Sequence, residues 1–289
     1  MESALGDLAG GESAPAGFDP RRFLVPGLPR VRPLLVLLSA RAAGGAPGTI
    51  PPDLSDAEQM AAAAELLHVA IVLHDTTLGR QGGRRRRAAR RLIGGAVGVL
   101  GGNHLTLRAL ELSRHSRAPE LIGEALEALR EISDGHALAQ TLHERTPTAA
   151  EALQLAEGHN GAVFSFACRA GARLAGADRK VITALGRYGR HMGVAWHLAE
   201  DLAAVTVDTE EDARDLEDRA AEGWPSYAVG VACERDPSIA DDWQRLSQDS
   251  NPELAVRLAD RVKSTGAIAA ARRRLVQETW AARKALAPL

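Results

Sequence analysis

The sequence predicts an all-α protein, a single helical bundle built around a buried central layer. Three observations carry this. Alanine, leucine and arginine dominate, and all three are strong helix formers. Apolar residues recur at three- and four-residue spacing over several long runs, dense enough for helices buried on most sides. No stretch alternates apolar and polar residues for long enough to make a half-buried strand, and aromatic residues, at 3%, are too few for a β-rich core.

Taken in order, residues 1–22 read as a disordered tail of Gly, Ser, Ala, Pro and Asp without periodicity. Pro26, Pro29 and Pro33 frame a short opening segment. Residues 40–56 read as a loop that ends in a helix N-cap at Ser55 or Asp53. Helical spacing then predicts helices over 56–78, 92–114, 118–132, 134–144, 147–174, 178–206 and 210–222, the last strongly charged. A final long helix is predicted over 251–285. No linker interrupts the pattern, so residues 23–289 are expected to form one domain.

Composition narrows the function classes. With 25% charged residues and a net charge of −2, the chain lacks the basic excess of a general nucleic-acid binder. Cys168 and Cys233 are far apart and fit neither a disulfide framework nor a metal motif, which suits a reducing compartment. The N-terminus has no signal-peptide pattern, and no apolar run nears the roughly 18 residues that span a membrane. A cytoplasmic protein is expected.

Two stretches carry chemistry. In Glu65-Leu-Leu-His-Val-Ala-Ile-Val-Leu-His-Asp75, His68 and Asp75 lie two turns apart on one face of an otherwise apolar helix. A glycine-hinged basic loop with Arg84, Arg85, Arg86 and Arg87 follows. A carboxylate followed by arginines suits a metal-bound polyanion, because guanidinium groups grip phosphate oxygens while the carboxylate holds the bridging cation. In the second stretch, His197, Glu200 and Asp201 share a helix face at i, i+3 and i+4. Adjacent acids repel unless a cation or base is near, so this pair could form a second metal wall.

These stretches resemble the polyprenyl synthetase (trans-isoprenyl diphosphate synthase) family, whose first helix ends in ELLH…HDD before an RRG loop and whose later helix reads GxxFQxxDDxxD. Glu65 through Asp75 with the arginine loop matches the first, and Gly193 through Ala204 the second. Gly94 through Asn103 looks like the family's GxAxAVLAGD helix, and Leu28-Pro29-Arg30-Val31-Arg32-Pro33 like its GKRxRP. The four matches fall in order over residues 25–235.

The resemblance implies the isoprenoid synthase fold, an all-α bundle around a central cavity. It implies an enzyme that ionises an allylic diphosphate with Mg²⁺, followed by prenyl transfer or cyclisation. Arg32, His68 and one of Arg84 or Arg85 match positions that grip isopentenyl diphosphate. Pro29 replaces a lysine. Asp75 remains of the first aspartate motif, with Thr76 and Gly79 where aspartates belong. Glu200 and Asp201 match the acid pair of the second, and Ala204 replaces its third acid. Asp75, Glu200 and Asp201 are thus the implied metal ligands. His159 with Asn160, and Trp196 with His197, stand at substrate-contacting positions, and Trp224 follows where the family has a lysine. A homodimer is implied. The lost acids also fit a catalytically impaired subunit of a heteromer with a full-motif synthase.

Overall fold

A computed structural model of the chain describes residues 30–44, 54–78, 95–142, 145–206, 209–221, 223–249 and 251–289. Among these no strand occurs. The helices are α1 (Val31–Gly44), α2 (Leu54–Leu78), α3 (Gly95–His115), α4 (Glu120–Leu142), α5 (Ala149–Ala156), a π-helical turn (Glu157–Gly161), α6 (Ala162–Leu174), α7 (Arg179–Val205), α8 (Glu210–Ala221), α9 (Tyr227–Arg235), α10 (Ile239–Gln248), α11 (Pro252–Ser264) and α12 (Ala267–Ala285). Residues 1–22 and the basic loop at 84–87 lie outside the described residues.

Local chemistry explains where the helices start. Thr148 and Glu151 form a reciprocal capping box at the start of α5. Asp178, Ser226 and Asn251 each accept a backbone N–H in the first turn of α7, α9 and α11. Pro33 sits in the first turn of α1, where a missing N–H is tolerated.

Packing then fixes the arrangement. α2 and α3 pair lengthwise, α1 lies on α2 and α6, and α6 runs along α7. Met60, Leu66, Leu67, Leu105 and Phe164 fill this core, all essentially inaccessible to solvent. A second cluster, around Val229, Trp243 and Leu258, joins α8 to α12. The long helix α7 serves both, giving Leu185 to the first and Val205 to the second.

The structure departs from the sequence reading in several places. Residues 40–44, expected in a loop, complete α1, because Ala40 and Ala43 are small enough to bury. The two helices expected over 118–144 are one. It passes through Gly135, which packs directly on Gly158 of the π-helical turn, so tertiary contact overrides a weak local propensity. The helix expected over 147–174 contains the π turn. The long C-terminal helix is broken at Gly266, whose φ of 72° is in the left-handed region open to glycine. Residues 227–248 form two short helices that had too few turns to show a period.

One glycine decides how closely α7 crosses the π turn. A Cβ on Gly193 would lie 2.3 Å from the Asn160 carbonyl oxygen and 2.8 Å from the Gly161 Cα. Gly193→Ala should therefore lower stability by about 1–3 kcal/mol through overpacking. Gly123→Ala, where an added Cβ meets nothing, should leave it unchanged or raise it by up to about 1 kcal/mol. Urea unfolding of the two variants checks the contrast.

Candidate active site

Several buried polar residues, Arg32, Glu65, Asn160 and His197 among them, gather where α1, α2, the π turn and α7 meet. The π turn is the pivot. Its extra residue per turn rotates the helix and turns Asn160, 2% exposed, toward α1 and α7. Asn160 accepts a hydrogen bond from the Arg32 guanidinium at 3.1 Å. Its amide nitrogen lies 3.3 Å from His197 Nδ1 and 3.4 Å from a Glu200 oxygen, and donates to both.

Arg32 enters from the first turn of α1 and is buried. Its guanidinium carbon lies 5.4 Å above the Phe164 ring, and Phe164 in turn tilts against Trp196. Burial pulls the Arg32 pKa down, while Glu65 and Glu200 oppose the shift. Glu65, buried on α2, pairs with Arg30 at 2.7 Å. The Arg32 Nε and one Glu65 oxygen find no hydrogen-bond partner among the described residues. His68, half-buried, is one turn from Glu65 on the same face of α2.

Glu200 and Asp201 go separate ways. Glu200 is exposed and held from one side by the Trp196 indole N–H at 2.8 Å. Asp201 is 2% exposed and turns toward α8 and α9. There it takes a 2.5 Å hydrogen bond from Arg219 and a longer one from the Tyr227 amide. Burial pushes the Asp201 carboxyl above its ordinary range, and Arg219 and the amide pull it back. His197 lies between, its Nε2 3.6 Å from Asp201. Desolvation, helped by the Arg219 charge, lowers the His197 pKa to about 3, so the ring is neutral. Asn160 donates to Nδ1, which leaves the proton on Nε2 facing Asp201. The result is one buried polar line, Arg32–Asn160–His197–Asp201–Arg219.

His159 sits beside this line. Its ring is 5.4 Å from Trp224 and 6.0 Å from His197, and His136 closes the group at 5.6 Å from Trp224.

Of the residues singled out from the sequence, the structure brings together Arg32, His159, Trp196, His197 and Glu200. Asp201 adjoins them but is committed to Arg219, so the expected wall of two free carboxylates is reduced to Glu200. Asp75 lies in the last turn of α2, with its side chain outside the described residues. Arg84 and Arg85 lie outside them altogether. Sequence reasoning missed Arg219, Glu65 and His136 as site residues. Arg219 lies in a helix so charged that no single cation stands out. Glu65 fell inside a stretch already noted but carried no spacing signal of its own.

Hard oxygen donors are what Mg²⁺ requires, usually one or two carboxylates completed by substrate phosphate. Glu200 is open and oriented by Trp196 and Asn160, and so fits that demand. Among the described residues no cluster of three His, Cys, Asp or Glu side chains could hold a metal by itself.

Known proteins resemble this chain over most of its length. The family model described as polyprenyl synthetase matches residues 21–259. The (2E,6E)-farnesyl diphosphate synthase of Mycobacterium tuberculosis is 36% identical over 181 residues, covering 61% of this chain and 48% of that protein. The short chain isoprenyl diphosphate synthase of Methanothermobacter thermautotrophicus is 32% identical over 212 residues, covering 71% of this chain and 63% of that protein. The chain thus matches about half the length of the mycobacterial relative. Among solved structures, a polyprenyl synthase from Caulobacter crescentus, crystallised with calcium and isoprenyl diphosphate, superposes with a TM-score of 0.80 at 26% identity. It covers 99% of this chain and 88% of the other.

Removing Arg219 should strand a buried carboxylate. Arg219→Met should cost about 3 kcal/mol, and adding Asp201→Asn should recover most of it, as read from chemical denaturation. The neutral His197 gives a pH signature. An unfolded histidine charges near 6.5, whereas the folded one stays neutral to about pH 3. In that window the unfolded chain binds the extra proton. Stability should therefore be full above 6.5 and fall toward pH 3, by up to about 1.4 kcal/mol per pH unit from this group. Urea midpoints of the wild type and His197→Gln against pH check this, the variant showing the shallower acid slope.

Proposed function

This chain belongs to the polyprenyl synthetase family, and on that footing we propose that it is a prenyltransferase acting on an allylic diphosphate. The observation that supports this most is the convergence of Trp196 and of Asn160, itself bonded to Arg32, on the open carboxylate of Glu200. Such a site pairs a carboxylate for a divalent cation with a buried cation for a diphosphate.

Each side chain then has a task. Glu200, with Asp75 at the end of α2, would hold Mg²⁺, which supplies charge neutralisation for a leaving diphosphate. Arg32 would bind diphosphate oxygens from within the bundle, joined by one of Arg84 or Arg85. Its Nε, without a partner among the described residues, is available for such a contact. His68 would donate a further hydrogen bond from α2. The allylic C–O bond breaks, the electron pair leaves with the diphosphate, and C1 becomes a carbocation. The alkene of isopentenyl diphosphate attacks that carbon, a C–C bond forms, and a C2 proton of the isopentenyl unit passes to the released diphosphate. Trp196 and Trp224 offer aromatic faces that favour a nearby cation. The buried helix walls keep water from capturing it. His159 would contact substrate beside Trp224. Neutral His197 and paired Asp201 act as positioning residues, fixing Asn160 and hence Glu200.

A homodimer belongs to the same proposal, supported by exposed Val99, Leu100 and Leu107 along α3. So does a cytoplasmic location, supported by two free, buried cysteines. No helix among the described residues is long and apolar enough to cross a membrane. The relatives compared above carry synthase names, which favours catalysis over a purely supporting subunit.

Purified protein incubated with Mg²⁺, farnesyl diphosphate and isopentenyl diphosphate should release inorganic diphosphate and yield an elongated prenyl diphosphate. Asp75→Ala and Glu200→Gln should each lower turnover about 100-fold or more, and chelation should abolish it. Release without isopentenyl diphosphate would indicate cyclisation or hydrolysis instead. Absence of release with every allylic diphosphate would contradict the proposal.

A further inference from the structure

The outer face of α12 has a chemistry that the interior site does not use. Ala269, Arg272, Arg273, Val276, Trp280, Arg283, Lys284 and Ala287 are exposed, at spacings that confine them to an arc of about 120°. Val276 is 64% exposed, Trp280 62% and Leu289, just beyond the helix, 56%. The Lys284 ammonium lies 5.1 Å over the Trp280 ring. The opposite face, with Ala267, Ala271, Glu278 and Ala282, is buried.

This face carries four cations and no exposed acid. The one carboxylate of the helix, Glu278, is turned inward and held by His191 at 2.7 Å and Arg274 at 2.5 Å. The helix packed most extensively along it, α7, does not offset the charge. α12 runs antiparallel to α7, since Glu278 meets His191 while Leu286 reaches the cluster containing Val181 and Ile182. From Arg179 to Ala199, α7 has no acid, and Lys180 and Arg187 on it are exposed.

We infer that this face of α12 docks the protein onto an anionic lipid bilayer. Exposed cations are drawn to a negative surface and fall off in attraction within a Debye length. Tryptophan settles at the headgroup level, with an apolar ring and a polar N–H. Apolar side chains set among basic ones on a single helical stripe give a helix that lies in the interface rather than across it. A nucleic acid would satisfy the cations but leave Val276 and Leu289 in water. The bilayer satisfies both. The inference needs no substrate, so its failure would leave the reading of the interior site untouched.

Co-sedimentation of the full chain with vesicles tests it. Vesicles of equal phosphatidylglycerol and phosphatidylcholine should bind at least about tenfold better than phosphatidylcholine alone, with the difference lost at high salt. Arg272→Glu with Arg273→Glu should lower binding about tenfold or more, whereas Arg272→Lys with Arg273→Lys should retain it. Trp280→Ala should weaken it about threefold or more. All these side chains are exposed, so thermal unfolding and basal turnover should match the wild type. Equal binding to neutral and anionic vesicles, no binding, or variants that bind like the wild type would overturn the inference. So would sedimentation velocity showing that Trp280→Ala dissociates a self-associated form, which would assign the face to a second copy of the chain.

Discussion

The Asp201 carboxylate is held out of water between Arg219 and the first amide of α9. A buried charge of this kind is costly unless its partners are placed for it, and losing one partner costs more than the pair contributes. That requirement locks α7 to α8 and α9 at one point. Beside it His197, kept neutral first by its burial and then by the Arg219 charge, leaves its Nδ1 free to accept from Asn160. Asn160, so fixed, reaches Arg32 and Glu200.

The consequence for chemistry is a division of labour between adjacent acids. The two carboxylates are neighbours in sequence, yet the helix turns them roughly 100° apart. One is neutralised by an internal guanidinium and is structural. The other stays exposed, oriented by an indole N–H and an amide. The buried network thus holds one carboxylate, Glu200, in a defined place. Positioning by a buried network is the kind of support that a catalytic group needs in order to act in one geometry.

Much of the fold was legible in the sequence because long amphipathic and apolar runs leave a strong period. The boundaries that failed have physical reasons. Ala40 and Ala43 were read as loop because small residues near glycine and proline look like punctuation until something packs on them. The helices expected over 118–132 and 134–144 run on as one through Gly135, because Gly158 fills the space beside it. Helices as short as α9 and α10 lack turns enough to declare themselves. For the site, spacing grouped His197 with Glu200 and Asp201, and the resemblance to the family pointed to Arg32. It gave no hint that Asp201 would be claimed by Arg219, since that contact joins two helices and depends on the turn between them. The π turn was equally hidden, because one inserted residue shifts a helical period by less than the pattern can resolve.

The buried polar line can be seen directly in the side-chain ¹⁵N spectrum of His197, assigned by comparison with His197→Gln. The predicted result is a neutral ring with its proton on Nε2, unchanged in shift from pH 7.5 to pH 5. A ring that titrates near its ordinary value of about 6.5, or one that carries the proton on Nδ1, would contradict the network on which the placement of Glu200 depends.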